Sequence, residues 1–255
     1  MTTARAPRLD IIIPVYNEGA NILPTLQSIA RETRTPARVL IGYDRDDDDT
    51  LPAIDQNRNA LGGLTVDFVR NRGRGAHGAV LTCFRASTAA YALVLPADDD
   101  YNAGMLDAMV AEADRGCEIV CASRFMPGGS MVGCPWLKAV LVRAGNFTLH
   151  HLARLPTHDA SNGFRLFSRR VIDEIVIESD RGFCYSIELL VKCHRLGWRI
   201  GEVPAHWFQR KHGASRFQVV RWLPAYLRWY AYAFATTWLG RPPRSVPLNS
   251  APRAA

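Results

Sequence analysis

The strongest constraint on the fold is an alternation in the first half of the chain. Short apolar runs alternate with stretches of helical spacing. Leu9 to Val15 is nearly all apolar and ends in Tyr16-Asn17-Glu18-Gly19, which reads as a buried strand feeding a loop. Ile22, Leu26 and Ile29 then share one face of a helix over 20–31. Further strands are expected at 39–43, 64–69, 91–95 and 118–122, with helices at 50–60, 75–90 and 103–113. Such an order builds βαβ units and an α/β domain with a mainly parallel sheet. Ligands of these sheets sit beyond the carboxyl ends of the strands. The sequence puts Asn17-Glu18, Asp44 to Asp49, Asn71 to Gly78, Asp98 to Asp100 and Ser123-Arg124 there.

The second half is less regular. Helices are expected at 137–153, 169–176 and 184–196, and a strand near 198–203. An aromatic stretch, Phe217 to Leu239, follows, and it holds eight aromatic residues with Arg221 and Arg228 among them. Its clean apolar part, Trp229 to Leu239, is far shorter than the roughly 20 residues that span a bilayer. Trp, Tyr and Arg together favour the headgroup region. The tail from Arg241 carries four prolines and is expected to lack fixed structure.

A chain of 255 residues with 48% hydrophobic and 22% charged residues buries a core without disulfides or a structural metal, which excludes a disordered, collagen-like or coiled-coil protein. The charge is uneven. Residues 1–127 hold 13 Lys/Arg against 17 Asp/Glu, whereas 128–255 hold 18 against 7. That asymmetry suggests a cation site in the first half and an anion-facing surface in the second. The six cysteines form no Cys-x-x-Cys pair and no signal-peptide pattern opens the chain, so a reduced, cytoplasmic protein is expected.

Four motifs carry chemistry. Asp98-Asp99-Asp100 ends an apolar strand, and adjacent carboxylates repel unless a cation joins them; hard oxygen ligands suit Mg²⁺ or Mn²⁺. Within the acidic run, Asp44 lies nearest the strand and can accept a nucleobase ring N–H, while the others are expected to be mostly solvated. Gly73-Arg74-Gly75-Ala76-His77-Gly78 matches the dinucleotide fingerprint, with Asp98 at the expected distance. It follows the third strand rather than the first, and Asp98 belongs to a carboxylate triplet, so an NAD-dependent oxidoreductase is only a lesser alternative. Basic and glycine residues gather at Ser123-Arg124, Gly163-Phe164-Arg165 and Arg210 to Arg216, where glycines admit a phosphate and arginines grip it. They are not arrayed along one helix, so nucleic acid is not the expected partner. The histidines lack metal-ligand spacing; His150 and His151 read as surface or core residues.

In order, the segments IIIPVYNEGANI, the acidic loop ending in Asp48-Asp49-Thr50, GRGAHGAV, LVLPADDDYNAGML, ASRFMPGGS, KAVLVRAGNF, DASNGFRLF, YSIELLVK, EVP and RKHGASR resemble the family-2 glycosyltransferases. The likeness is to their dolichol-phosphate mannosyltransferase-like (polyprenyl-phosphate glycosyltransferase) branch, and it runs from about Asp10 to Tyr230. The resemblance implies a GT-A fold, a Rossmann-like, mainly parallel sheet flanked by helices. It divides the chain into a single domain over 1–240 (nucleotide-sugar half 1–127, acceptor half 128–216, aromatic interfacial helix 217–239) and a disordered tail, 241–255. The implied reaction moves a sugar from GDP-mannose or a UDP-hexose to a polyprenyl or dolichyl phosphate, with inversion and with Mg²⁺ or Mn²⁺. A membrane-surface location follows for a lipid acceptor.

The resemblance also implies residues. Pro14, Tyr16, Glu18, Gly42, Asp44, Pro96, Ala97, Asp98, Arg124, Arg210 and Arg216 form the nucleotide-sugar set. Asp98 and Asp100 are the metal pair, and Asp98, Arg124 and Arg210 are the catalytic residues. Ser123, Lys138, Arg143 and Arg165 are expected at the acceptor phosphate. The chain departs from the family where Pro96 replaces the first Asp of Asp-x-Asp, Lys138 an Arg, Val142 a Ser and Arg216 a Lys. Two other readings follow from those departures: transfer to a soluble hydroxyl with Asp159 or Glu188 as base, and a non-catalytic nucleotide-sugar-binding relic.

Overall fold

Residues 6–209 and 219–249 are described by the computed structural model of the chain. Strands β1 (Leu9–Pro14), β2 (Ala37–Tyr43), β3 (Thr65–Arg70) and β4 (Tyr91–Val94) lie in the spatial order β3-β2-β1-β4. All three pairings are parallel, with Leu9 opposite both Ala37 and Tyr91. Ile11, Ile12 and Ile13 are fully buried, which is why β1 reads as an unbroken apolar run. Helix α1 (Gly19–Glu32) buries Ile22, Leu26 and Ile29, as their spacing predicts. Helices α2 (Thr50–Gln56) and α3 (Gly75–Ala86) are shorter than expected. After α2 the chain makes a 3₁₀ turn, Arg58–Leu61, and Gly62 ends it in the left-handed region at φ 59°. After α3, the N–H groups of Thr88 and Ala89 donate to buried Asp10 at 2.9 and 3.2 Å, so they cannot continue a helix. Arg38 forks onto the same carboxylate through Nε and Nη2, at 2.9 and 3.0 Å. Burial pushes the Asp10 carboxyl up, but these hydrogen bonds outweigh it and hold the group below the usual carboxylate range.

The chain forms two compact units, residues 1–110 and 111–255, and the division falls inside α4 (Leu106–Asp114) rather than at 127. In the second unit β5 (Ile119–Ser123) lies between β7 (Arg165–Ser168), antiparallel to it, and β8 (Ile200–Pro204), parallel to it. Strands β6 (Ser130–Val132) and β9 (His206–Phe208) form a separate parallel pair. β6, β7 and β9 have three or four residues each, too few to show a period, and the sequence reading missed them. Helix α5 (Trp136–Phe147) gives way to a π-type turn over Thr148–Leu152, short of the expected single helix to 153. Helices α6 (Arg169–Glu174) and α7 (Cys184–Arg195) follow the expected spans closely.

The aromatic stretch is helix α8 (Val219–Trp238), which contains Pro224. Trp229 and Ala233 are buried, while Leu223, Leu227, Trp238 and Leu239 are exposed. No helix among the described residues is long and apolar enough to cross a membrane. The tail corrects the sequence reading. Residues 241–249 are held against α6: Val176 N donates to Pro247 O at 3.1 Å and Asn249 N to Glu174 O at 2.8 Å. Val246 is buried, and Ser245 Oγ accepts from Arg195 at 3.2 Å. Pro242, Pro243 and Pro247 suit this clasp, which makes only a 3₁₀ turn at Pro243–Ser245, since a segment that needs no α-helix loses little by carrying them.

Candidate active site

In the first unit the loops beyond β1, β2 and β4 are built by carboxylates. Asp48 is buried and accepts from Asn17 N (3.0 Å) and Thr50 N (2.9 Å). Asp49 accepts from Gly19 N at 2.9 Å, and Thr50 Oγ1 from Glu18 N at 2.9 Å. The acidic run expected to be mostly solvated is therefore half scaffold: Asp48 and Asp49 hold backbone N–H groups, although Asp49 is itself exposed, while exposed Asp46 and Asp47 pair with Arg70 and Arg45. This bracing presents Tyr16, 45% exposed, and half-buried Glu18, whose carboxylate accepts from Asn21 Nδ2.

Asp44 is half-buried and faces the glycine loop. It accepts from Gly75 N at 2.9 Å and from Asn71 Nδ2. The loop is folded tightly on itself: a Cβ on Gly78 would stand 2.8 Å from Asn71 Oδ1 and 3.0 Å from Gly73 Cα. The glycines thus serve the Asp44–Asn71 bracket, with the Gly75 N–H already committed, which removes the ground for a dinucleotide fingerprint. Gly42 is a packing glycine. A Cβ there would meet Cys83 Sγ at 3.0 Å and Ala79 Cβ at 3.2 Å on α3, so its expected place in the nucleotide-sugar set is corrected.

After β4 the three aspartates divide. Asp99 is buried, and its carboxylate accepts from Asn102 N (3.0 Å) and Asn102 Nδ2 (2.8 Å); burial pushes this carboxyl up to about 6. Asp98 stays half-buried and Asp100 exposed. Ala97 is buried, its carbonyl accepting from Thr25 Oγ1 at 2.9 Å, and Pro96 is exposed. Among the described residues no group of three or more His, Cys, Asp or Glu forms a complete metal cage. Half-buried Asp98 and exposed Asp100 are nonetheless the donor type that suits Mg²⁺ or Mn²⁺, which commonly take one or two carboxylates and fill their remaining positions with water and substrate phosphate.

In the second unit Arg124 forks onto fully buried Asp159: Nε donates at 2.7 Å, Nη2 at 2.9 Å and the Arg124 backbone N at 3.1 Å. Asp159 also accepts from Ser161 N, Ser161 Oγ and Asn162 N. Asn146 of α5 ties the same loop down, donating to Ser161 Oγ at 2.9 Å and accepting from Ala160 N at 2.8 Å. Arg124 and Arg143 both lie over the Phe125 ring, 5.1 and 6.0 Å from its centroid, and Lys138 lies 5.7 Å from that of Trp207. Asn146, Phe125 and Trp207 were absent from the sequence reading; a lone Asn or aromatic residue in a helix or loop gives no signal of its own.

Several expected roles do not survive. Arg165 is fully buried; it donates to Ser186 O (2.6 Å), Ser186 Oγ (3.0 Å), Ala160 O (2.6 Å) and Asp159 O (3.2 Å), so it braces the core and cannot reach an acceptor phosphate. Ser123 is fully buried too, its Oγ accepting from Met126 N. The two candidate bases are saturated: Asp159 by its six donors, and Glu188 by Lys192 Nζ (2.6 Å), Glu178 N (2.6 Å) and Ser179 N (2.8 Å), with no exposed surface on either. Lys138 and Arg143 remain exposed. Arg210 and Arg216 lie outside the described residues.

Comparison with known proteins gives the family and the fold. The sequence profile described as "Glycosyl transferase family 2" matches residues 10–176. The chain is 26% identical over 220 residues to a polyprenol monophosphomannose synthase of Mycolicibacterium smegmatis, covering 84% of this chain and 83% of that one. It is 30% identical over 221 residues to an undecaprenyl-phosphate mannosyltransferase of Micrococcus luteus, covering 82% and 87%. Among solved structures it resembles glucosyl-3-phosphoglycerate synthase from Mycobacterium tuberculosis, in complex with Mn²⁺, UDP and glucosyl-3-phosphoglycerate. The TM-score is 0.62 at 16% identity, over 91% of this chain and 80% of that one, a likeness of fold. With its mainly parallel sheet, flanking helices and carboxylate-braced strand-end loops, the chain belongs to glycosyl transferase family 2 and is a glycosyltransferase of the GT-A fold.

Proposed function

We propose that this protein transfers a hexose, with inversion, from GDP-mannose or a UDP-hexose to a polyprenyl or dolichyl phosphate at an anionic membrane surface on the cytoplasmic side. The observation that carries the acceptor class is the saturation of Asp159 and Glu188. A hydroxyl acceptor needs a base, whereas a phosphate is already ionised near neutral pH and needs only positioning and charge screening. The two mannosyl relatives, whose names carry polyprenol and undecaprenyl phosphate, support the same acceptor.

Asp98 and Asp100 would hold Mg²⁺ or Mn²⁺, which when bound stabilises charge on the departing diphosphate. Tyr16 offers an exposed ring for the nucleobase, beside Pro14, and Glu18 and Asp44 offer carboxylates to the base and ribose. Asp159 takes the Nε and Nη2 of Arg124 and so fixes the plane of the guanidinium, whose Nη1 meets only the weak acceptor Met131 Sδ at 4.0 Å and can turn to a phosphate. Arg124 and Arg210 serve the donor diphosphate with Arg216, while Lys138 and Arg143, exposed on α5, serve the acceptor phosphate.

Membrane docking is supported by the outer face of α5. Trp136 is 77% exposed, and Leu137, Val140, Leu141 and Phe147 are exposed beside Lys138 and Arg143. Apolar side chains with cations at the margin suit a headgroup interface. The test is a donor screen of GDP- and UDP-sugars against a polyprenyl phosphate, read by mass. A glycosyl phosphopolyprenol product is expected. Donor binding without any transfer would favour the relic reading, and transfer only to soluble hydroxyl compounds would overturn the lipid acceptor.

A further inference from the structure

A second anion site is suggested by the outer edge of the first unit. Strand β3 ends the sheet order there and pairs only with β2 in that unit, and α3 runs back beside it. Between them lies a cleft of about 610 Å³ lined by Phe68, Arg70, Asn71, Arg72, Thr82 and Arg85 among others. Its volume is within the usual range for small-molecule sites. Three arginines and no carboxylate line it, in a half of the chain where acidic residues outnumber basic ones. Arg72 and Arg85 are exposed, and among the described residues neither guanidinium has a hydrogen-bond or ion-pair partner. Arg70 holds Asp46 of the acidic loop. None of Pro14, Tyr16, Glu18, Asp44 or Asp98 lines the cleft.

Arg72 follows the carboxyl end of β3, while Arg85 lies in the last turn of α3. Three arginines from different elements thus line one cleft, two of them without an ion-pair partner among the described residues and the third paired only with Asp46, which does not line it. Several cations around one cleft match a chain of phosphates better than a single small ion. Arginine adds charge-assisted, bidentate bonds to phosphate oxygens. We infer that this cleft binds a soluble di- or triphosphate-bearing anion, at a site separate from the sugar-donor residues. An anion drawing Arg70 into the cleft competes with Asp46, and the same acidic loop anchors Asn17 and Gly19 through Asp48 and Asp49. Occupancy therefore acts on the loop that presents Tyr16, which gives the cleft a route to tune donor binding.

The experiment is calorimetric titration of the full chain with inorganic tripolyphosphate at low salt, with EDTA present so that metal-bridged binding is absent. Saturable binding is expected. It should weaken at least tenfold in the double variant Arg72→Ser/Arg85→Ser and persist in Asp98→Asn. Both arginines are exposed, so an unchanged melting temperature will show that the double variant is folded. Absence of saturable binding in the wild type, or equal affinity in the double variant, would overturn the proposal. So would loss in Asp98→Asn with retention in the double variant, which would place the anion at the donor residues.

Discussion

Asp159→Asn is the substitution that most sharply tests how the second unit holds Arg124. The carboxylate receives six hydrogen bonds, three of them from Arg124, and has no exposed surface. Every one of its partners is a donor. An amide of the same shape turns one acceptor oxygen into an NH₂ group, which must face either the Arg124 guanidinium or the N–H groups of Ser161 and Asn162. Both choices set donor against donor, and both leave the guanidinium without its counter-charge at a side-chain exposure of 11%. Breaking a buried pair in this way costs about 3–5 kcal/mol. For a chain of this size 1 kcal/mol moves the melting temperature by about 2–4 °C, so a fall of roughly 6–20 °C is expected. The assay is thermal unfolding followed by circular dichroism, with turnover measured well below the new transition. Turnover should fall as well, because a guanidinium without its fork no longer presents Nη1 in one plane. A melting temperature within about 2 °C of wild type would refute the reasoning and leave Asp159 as a replaceable loop residue.

Asp98→Asn should lower metal-dependent transfer by at least about 10–100-fold, by analogy with losses around metal ligands, and steady-state kinetics with Mg²⁺ or Mn²⁺ will show it. Asp10→Asn should cost about 2–4 kcal/mol in urea unfolding at pH 7, because Arg38 and two backbone N–H groups lose a charged acceptor. Since the native Asp10 pKa is lowered, its contribution is full above the unfolded value and disappears as pH falls through the native one; the gap between wild type and variant should therefore shrink below about pH 4. Removal of residues 242–255 should destabilise the protein by about 2–4 kcal/mol through the loss of buried Val246 and the clasp on α6, whereas a structureless tail would leave the melting curve unmoved. Trp136→Ser/Leu141→Ser should weaken flotation with phosphatidylglycerol vesicles at low salt without altering the melting temperature, since both side chains are exposed.

The strands and helices of the first unit were legible because apolar runs alternate with helical stripes, and even four-residue β4 lies in an unbroken apolar run, Tyr91 to Leu95. β1 is buried on both faces and α1 shows one apolar stripe. Where the reading erred, a tertiary contact decided. α3 stops at Ala86 because, after the capping bond from Ser87 N to Cys83 O, the N–H groups of Thr88 and Ala89 are claimed by Asp10, far away in sequence. Residues 241–249 are held in place because α6 and the residues after it supply partners for their backbone.

The sequence alone determined the α/β class, the loops that carry polar chemistry and the family, through local periodicity and the order of its motifs. It could not assign roles within a motif, because charge and residue type do not say which way a side chain turns. Asp98, Asp99 and Asp100 are identical letters, yet packing buries the middle one against Asn102 and leaves its neighbours more open. Arg124 and Arg165 look alike as phosphate ligands, yet one is held by Asp159 with Nη1 on nothing stronger than Met131 Sδ, and the other is spent on carbonyls of the core. Only the tertiary structure distinguishes them, since burial and the saturation of hydrogen bonds depend on how the chain packs around each side chain, here through partners from three to 35 positions away.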